Sequence, residues 1–249
     1  MLTAERRTHL LSVLARDGKV VAKAEAIKLG TSEDTIRRDL GDLADEGLLQ
    51  RVYGGALPVA PAAQSYLART TLATASKERV ARRAARLVKP GMTVVLDGGT
   101  TALALARALP AHLAAAVITP SPLVAVALAE TTDAEIVMLG GVIHRHSLVV
   151  GGALTAESVG SLSADLFLLG VTGVHPSAGL TTGEIEDAAT KRALAARSAA
   201  TYVLASAEKL GAASPHRVLA LEEIAGIVTD GQDHPVLADL RAAGANLLS

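Results

Sequence analysis

The run Asp97-Gly98-Gly99-Thr100-Thr101 holds the clearest chemistry in the chain. It follows the aliphatic triplet Val94-Val95-Leu96 and precedes an alanine-rich stretch with the look of a helix. Glycines there permit a close turn, and the backbone N–H groups with the two Thr hydroxyls can receive phosphate oxygens at the positive end of a helix. The run lacks the glycine spacing and the lysine of a P-loop, and it is not a dinucleotide fingerprint. Further glycines fall after or between aliphatic runs: Gly140-Gly141, Gly151-Gly152, Gly170 with Gly173, and Gly179 ahead of Leu180-Thr181-Thr182. Singly, each reads as a structural turn. Together they are compatible with a crevice for a small phosphorylated molecule, with Lys191 or Lys209 as countercharge. Arg145, just after one glycine-rich strand end, is another candidate for an anionic ligand. His144 and His146 flank it, but an i, i+2 pair lacks the remaining ligands of a zinc site, and no metal is expected.

A second constellation lies near the start. Within residues 33–46, Ile36, Leu40 and Leu43 recur at i, i+4 and i+7, which turns them inward and leaves Thr35, Arg37, Arg38 and Asp42 facing solvent or intermediate. Ser32 can cap this helix and Gly47 ends it. Two helices precede it, one carrying Leu10, Val13 and Leu14 and ending near Gly18, the other spanning 22–29 before Gly30. After it, residues 48–52 and Ala56-Leu57 bracket Tyr53-Gly54-Gly55 as a small hairpin with a glycine turn. Three short helices and a hairpin in 57 residues make a winged helix-turn-helix physically reasonable. One guanidinium of the Arg pair can then meet a phosphate and the other a base edge, while Arg51 and the glycine turn approach an adjacent groove or backbone. Nine basic and nine acidic residues balance within this module, so its charge does not speak for DNA. Pairing of Arg37 and Arg38 with Asp34, Asp39 or Asp42 remains open, as does a protein-contact role for the trihelical core.

These elements must be held by a chain of 249 residues, half of them hydrophobic and a fifth charged, with a net charge of -1 and no cysteine. That composition is globular, and it excludes disulfides, thiolate zinc and thiol catalysis. No uncharged stretch reads as a signal peptide or membrane span, so a cytoplasmic protein without a membrane partner is expected. Residues 58–75, rich in Pro, Ala, Ser and Thr, read as a linker with one short helical piece between residues 1–57 and 76–249. A helix over 76–89 presents Val80, Ala84, Leu87 and Val88 on one side. Arg69, Lys77, Arg79, Arg82, Arg83, Arg86 and Lys89 make this the most basic stretch, either a solvated face or an attraction for an anion. Beyond Gly91, aliphatic runs at 93–96, 116–119, 135–139, 166–169, 201–205 and 227–229 alternate with helical stretches at 102–109, 123–129 and 186–199. This order predicts an α/β domain with a parallel sheet covered on both faces and ligand groups at its strand ends.

The run TIRRDL at residues 35–40, followed by Leu43, Gly47, Leu48, Arg51 and Gly54-Gly55-Ala56, resembles the DNA-binding signature of the DeoR-type bacterial repressors of sugar metabolism. The resemblance implies that Ser32, Thr35, Arg37 and Arg38 belong to a recognition helix and its cap, and that Arg51, Tyr53, Gly54 and Gly55 belong to a wing. It continues at Asp97 through Thr101, Thr119 with Ser121, Gly140-Gly141, Gly151, Gly170, Gly179-Leu180-Thr181, Lys191, Lys209 with Gly211, and Thr229-Asp230. What it implies there is an oligomeric effector domain with a fold like that of ribose-5-phosphate isomerase. Lys77, Asp97, Gly98, Gly99, Thr100, Thr101, Thr119, Ser121, Gly141, Arg145, Gly170, Gly179, Lys191 and Lys209 then become candidates to hold a phosphorylated sugar. Four positions depart from the family pattern: Thr31, Tyr53, Pro120 and Ser206.

The expectation is a transcriptional repressor of carbohydrate-metabolism genes that binds double-stranded operator DNA as a homo-oligomer, dimer or tetramer, needs no cofactor, and responds to a phosphorylated metabolite. Two other readings compete with it. Asp97, Glu184, Glu186, Asp187 and the lysines contain the residue types of an isomerase, though a dedicated enzyme has no use for the N-terminal module. A sensor whose small domain contacts protein rather than DNA is the third.

Overall fold

The computed structural model describes residues 2–231 and 234–248. Helices α1 (Thr3–Asp17), α2 (Ala22–Leu29) and α3 (Glu33–Asp45) are joined by a two-residue strand β1 (Val20–Val21), and the hairpin β2 (Gln50–Val52) and β3 (Gly55–Leu57) follows. Glycines with left-handed backbones, Gly18 and Gly30, end the first two helices. Ser32 opens the third by accepting from Thr35 N–H at 3.1 Å. The apolar stripes meet in one small core, with Leu10, Ile36 and Leu40 all but fully covered. The wing has a third strand that the sequence does not announce: β1 pairs with β3 on the side away from β2. Gly55 is therefore a packing glycine. A Cβ there would stand 1.8 Å from the Val20 carbonyl oxygen.

Residues 58–75 are not a bare spacer. They contain a 3-10 turn at Pro61–Ala63 and the short helix α4 (Tyr66–Arg69), and Ala60, Ala62 and Tyr66 are buried. From there α5 (Thr74–Ala85) leads into the large domain; it stops four residues earlier than the basic, apolar-striped pattern predicts, with Arg86 as its cap.

In chain order the large domain runs β4 (Thr93–Leu96), α6 (Thr100–Ala108), β5 (Ala116–Thr119), α7 (Pro122–Thr131), β6 (Glu135–Met138), β7 (Val142–His144), β8 (Val149–Gly151), α8 (Ala153–Gly160) and β9 (Ala164–Gly170). It continues with β10 (Gly173–His175), β11 (Gly179–Thr182), α9 (Ile185–Ala196), β12 (Ser198–Ala205), β13 (His216–Leu219), β14 (Gly226–Thr229), α10 (Leu237–Ala242) and β15 (Leu247–Leu248). All six predicted aliphatic runs are strands of one parallel sheet, ordered β15-β14-β12-β9-β4-β5-β6. Alternation explains why both faces are covered. Val94, Leu96, Leu166 and Leu168 pack under α5, α6 and α7, while Val95, Phe167 and Leu169 pack under α8, α9 and α10.

The chain lays down β4, β5 and β6 outward in one direction, then returns to the middle with β9 and builds β12, β14 and β15 the other way. Loops leaving β4 and β9 thus diverge to opposite faces and open a crevice at their carboxyl ends. An antiparallel trio β10-β11-β13 and the hairpin β7-β8 stand around that end. The sequence shows only glycine turns at β7, β8, β10 and β11 and does not announce β13; Gly179 is the first residue of β11, and a Cβ on it would stand 2.7 Å from the Leu219 carbonyl oxygen. No helix among the described residues is long and apolar enough to cross a membrane.

The strand approach at the wing makes a specific prediction. Gly55→Ala forces backbone against backbone and should cost about 2 kcal/mol or more, in the range of overpacked cores, seen as an earlier urea or thermal transition of the N-terminal module. An unchanged transition would contradict the close passage of β1.

Candidate functional site

Two sites emerge. In the small domain, three carboxylates of α3 and its C-cap are met from α1: Arg6 reaches Asp39, and Arg7 reaches Asp42 and Glu46. Asp39 is buried in that contact. Part of the module's even charge balance goes here, with three carboxylates facing α1 while Arg37 and Arg38 stay on the outer side of α3. Arg37 makes only surface pairs one turn back, to Glu33 at 2.7 Å and Asp34 at 3.6 Å. Pairs of that kind contribute roughly 0.3–0.5 kcal/mol and yield readily to a phosphate. Arg38 is exposed and has no ion-pair partner among the described residues. Of the alternative pairings open in the sequence, only Arg37 with Asp34 occurs. Thr35 is half-buried at the start of the same helix, its hydroxyl 2.8 Å from that of Ser32. Arg51 lies exposed on β2, with its guanidinium leaning toward Gly41 of α3. Tyr53 is fully exposed at the wing tip beside Gly54, whose left-handed backbone makes the turn.

In the large domain a narrow cleft, partly open to solvent, lies at the point where strand order reverses. Its floor is built on one cluster. Asp97, at the end of β4, accepts from Gly98 N–H at 2.7 Å and from Gly170 N–H at 2.9 Å, so it ties together the ends of β4 and β9. Lys191 reaches in from α9 to Asp97 at 2.6 Å and to Asp187 at 2.9 Å, and Thr182 donates to Asp187 at 2.6 Å. Burial by itself works against the Lys191 charge, but the two carboxylates outweigh it and hold the ammonium protonated above the usual lysine range. Asp97 is sealed within this cluster and does not line the cleft.

Above the floor the balance is cationic. Lys77, Lys209 and Arg69 all line the cleft, and none has an ion-pair partner among the described residues. Lys77 donates to the Arg69 carbonyl at 2.6 Å, and Lys209 donates to Thr101 Oγ1 at 3.1 Å and the Leu204 carbonyl at 2.9 Å. Burial pulls all three toward the neutral form, and Lys209, with Arg69 and Lys77 nearby and Glu208 and Asp97 only partly opposing them, is pulled down to about 8. They stand around the turn of Gly98, Gly99, Thr100 and Thr101 at the N-terminus of α6, where the Gly98 N–H goes to Asp97 and the N–H groups of the first helical turn, without partners inside the helix, can receive an anion. At the other side the wall is of a different character, with Ser147, Thr172, Thr182 and Glu184 supplying hydroxyls and a carboxylate.

Of the effector candidates, Lys77, Gly98, Gly99, Thr100, Thr101, Gly170, Lys191 and Lys209 are thus gathered around one cleft. Thr119 and Ser121 lie under it, buried: Thr119 accepts from Ser121 N–H, and Ser121 stands against Gly98. Gly141, Gly179 and Arg145 are not brought to it. Gly141 packs against Thr155 and Gly151, Gly179 turns a hairpin, and Arg145 sits exposed in the turn between β7 and β8. Arg69, Gln64, His146, Thr172, Glu184 and Glu208 line the cleft without having been candidates for it, apart from Arg69 as part of a basic stretch and Glu184 as an isomerase acid. Ser206, at one departure from the family pattern, donates to Glu208 at 2.7 Å and so fixes a wall residue.

Residues 6–61 match the DeoR-like helix-turn-helix domain, and residues 72–231 match the DeoR C terminal sensor domain. The chain is 32% identical to the HTH-type transcriptional regulator GlpR of Haloferax volcanii, covering 100% of this chain and 98% of that one. It is 31% identical to the putative aga operon transcriptional repressor of Escherichia coli O157:H7, over 99% and 93% of the two chains. With the glycerol-3-phosphate regulon repressor of Escherichia coli it shares 27% identity over 92% of each. Among solved structures, ribose 5-phosphate isomerase A of Methanocaldococcus jannaschii is similar over 54% of this chain and 53% of its own, with a TM-score of 0.40 and 20% identity.

Two measurements test the site as built. Lys191→Met leaves two carboxylates buried without their cation and should cost about 3–5 kcal/mol of stability, part of it returned by adding Asp97→Asn; a variant as stable as the parent would mean that the cluster does not hold the floor. The second concerns pH. An anion in the cleft favours the Lys209 ammonium and raises its pKa on binding, so affinity is full below pH 7 and declines as pH rises above about 8. Calorimetry with glycerol 3-phosphate and glucose 6-phosphate at pH 7 and pH 9 should show up to about tenfold weaker binding at the higher pH, and a flat profile in Lys209→Met.

Proposed function

We propose, from the premise that this chain belongs to the DeoR family of DNA-binding regulators, that it represses carbohydrate-metabolism genes and that a small phosphorylated sugar or related metabolite releases it from its operator. The observation that carries the ligand half is the trio Arg69, Lys77 and Lys209, unpaired and turned into a cleft beside the N-terminus of α6. Buried cations without partners are costly, and a dianionic phosphate offsets that cost while taking the free N–H groups of the turn. Hydroxyls and Glu184 on the facing wall suit the polyol body of such a ligand. In this reading Lys77, Gly98, Gly99, Thr100, Thr101 and Lys209 bind the effector directly, and Asp97 and Lys191 hold the floor beneath it.

The DNA half rests on the outer face of α3. Arg38 is unpaired and Arg37 only weakly paired, so both are free to exchange their surroundings for phosphate and base edges. Ser32 and Thr35 set the helix N-terminus against the backbone, and Arg51 with the Tyr53-Gly54 tip serves the flanking groove. One module of this size makes few contacts, and two held together by the large domain gain from linked binding at repeated half-sites. We therefore assign residues 1–57 to DNA, 76–249 to effector and oligomerisation, and the dimer or tetramer to the cytoplasm, where its operator lies.

An isomerase is not what this chain is. Its relatives are named regulators and repressors, and Asp97 and Asp187 are spent on Lys191 rather than held for proton transfer.

Selection of duplexes from a random pool by the purified protein, repeated with phosphorylated sugars present, tests both halves. An enriched sequence with repeated half-sites is expected, lost on adding the right sugar phosphate. Arg38→Ala should weaken the selected duplex about tenfold or more with the fold intact, and lower the salt dependence by roughly one phosphate contact if the residue meets the backbone. A pool that shows no enrichment at low salt would end the DNA assignment.

A further inference from the structure

The segment between the two domains reads in sequence as a spacer, yet in the fold it forms one wall of the cleft. Val59 bridges to Ala213. The turn Pro61–Ala63 lies on a second 3-10 turn, Ala207–Lys209, which carries the cleft residues Glu208 and Lys209. His146 clasps the segment from the other side: its ring nitrogen is 3.0 Å from the Ala63 carbonyl, and its own carbonyl accepts from Tyr66 N–H at 2.9 Å. Ala62, Ala63, Gln64 and Arg69 line the cavity.

Arg69 is the notable member. Its guanidinium stands 5.8 Å over the Tyr66 ring, and Nη1 would lie 3.6 Å from a Cβ on Gly99, which places it beside the phosphate-receiving turn. Its Nε is buried and has no hydrogen-bond partner among the described residues. Its carbonyl, by contrast, is taken by Lys77. A mostly buried guanidinium with an idle donor, lying against free backbone N–H groups, is a half-built anion site whose other half is the large domain. Four residues on, Ala73 adopts a left-handed backbone with φ of 50°, a conformation that costs a residue with a side chain of the order of 1 kcal/mol and persists only under packing from its surroundings.

We propose that Arg69 is an effector ligand supplied by the inter-domain segment, so that filling the cleft fastens residues 60–70 onto the large domain and occupancy is read by the very stretch of chain that leads to the DNA-binding wing. This rests on the reading of the cleft as a phosphate site and adds to it the route by which the signal leaves. The cleft ligand touches the segment only when the segment is docked. It therefore binds the docked arrangement better than any other, which is the differential affinity a switch requires. No relay through the sheet is needed, because β3 ends at Leu57 and Val59 is already on the large domain.

The test uses the full chain with inorganic phosphate, glycerol 3-phosphate and glucose 6-phosphate as probes, and reads two things: heat of binding, and amide hydrogen exchange across residues 60–70. With the tightest probe at saturation, exchange at the amides of Tyr66, Arg69 and Thr70 should slow at least fivefold, while α10, remote from the cleft, stays unchanged. Arg69→Ala should weaken binding about 10- to 100-fold, the scale of a charge-assisted contact. Even at saturation it should lose the slowing in 60–70. Arg69→Lys, which keeps charge without the fork and protects against misfolding as an explanation, should fall between the two. Binding as tight as the parent's in Arg69→Ala, or exchange in 60–70 indifferent to a bound probe, overturns this proposal and leaves the phosphate site standing. No heat from any probe in the parent chain overturns both.

Discussion

Everything in the large domain hangs on the buried contact of Lys191 with Asp97. A carboxylate at the end of one central strand cannot stay ionised in that position without a cation, and a lysine nearly as buried cannot stay charged without carboxylates. Each makes the other tolerable, and Asp187 with Thr182 completes the balance. Because Asp97 also takes the N–H groups of Gly98 and Gly170, the same cluster sets the course of both loops that leave the sheet where its order reverses. The turn at residues 98–101 is therefore held from below by charge rather than by its own flexible backbone. The cations above it have hydrogen-bond partners but no carboxylate partner among the described residues.

In the small domain the same principle acts with the signs arranged differently. The net charge of the module is zero, and zero would be a poor footprint for DNA if it were spread evenly. It is not spread evenly: Arg6 and Arg7 bring α1 across three carboxylates of α3, and Glu25 is met by His9 and Lys28. Much of the neutralisation happens between helices, inside the module's own seams. The outward side of α3 keeps Arg38 without an ion-pair partner among the described residues and Arg37 in surface pairs only.

Much of this was legible in the chain. Six of the seven strands of the main sheet fall within a residue or three of the aliphatic runs, because the runs are largely apolar and most are bounded by Gly, Pro or Asp. The helices of the small domain were as clear, since Ser32, Gly18 and Gly30 punctuate them. Three-residue strands such as β7, β8 and β10 carry too few positions to show a period, and in the sequence only their glycines stand out, as turns. Gly141 and Gly179 are ambiguous for a related reason: a hairpin turn, a close packing contact and a ligand loop all ask for the same missing Cβ. The inter-domain stretch misled because alanine and proline look like spacer, whereas Ala60 and Ala62 are small so that they can be buried against the 3-10 turn at Ala207–Lys209. Nothing local could single out Arg69 from its basic neighbours, since its distinction is the Gly99 turn thirty residues on, met only in the fold.

The magnitudes decide whether such a segment suffices as a switch. Coupling between an effector and an operator is typically about 1–3 kcal/mol, and one charge-assisted hydrogen bond to a buried anion is worth roughly 1.5–3 kcal/mol. One guanidinium gained or lost therefore spans the whole effect, and no large rearrangement of a packed sheet has to be invoked. A stiff core serves this arrangement well, because a floor that yielded would spread the ligand's binding energy over many small adjustments. With the floor locked by Lys191 and Asp97, the part of the cleft wall left to answer a ligand is the part that does not belong to the sheet, and that part is covalently the handle of the wing.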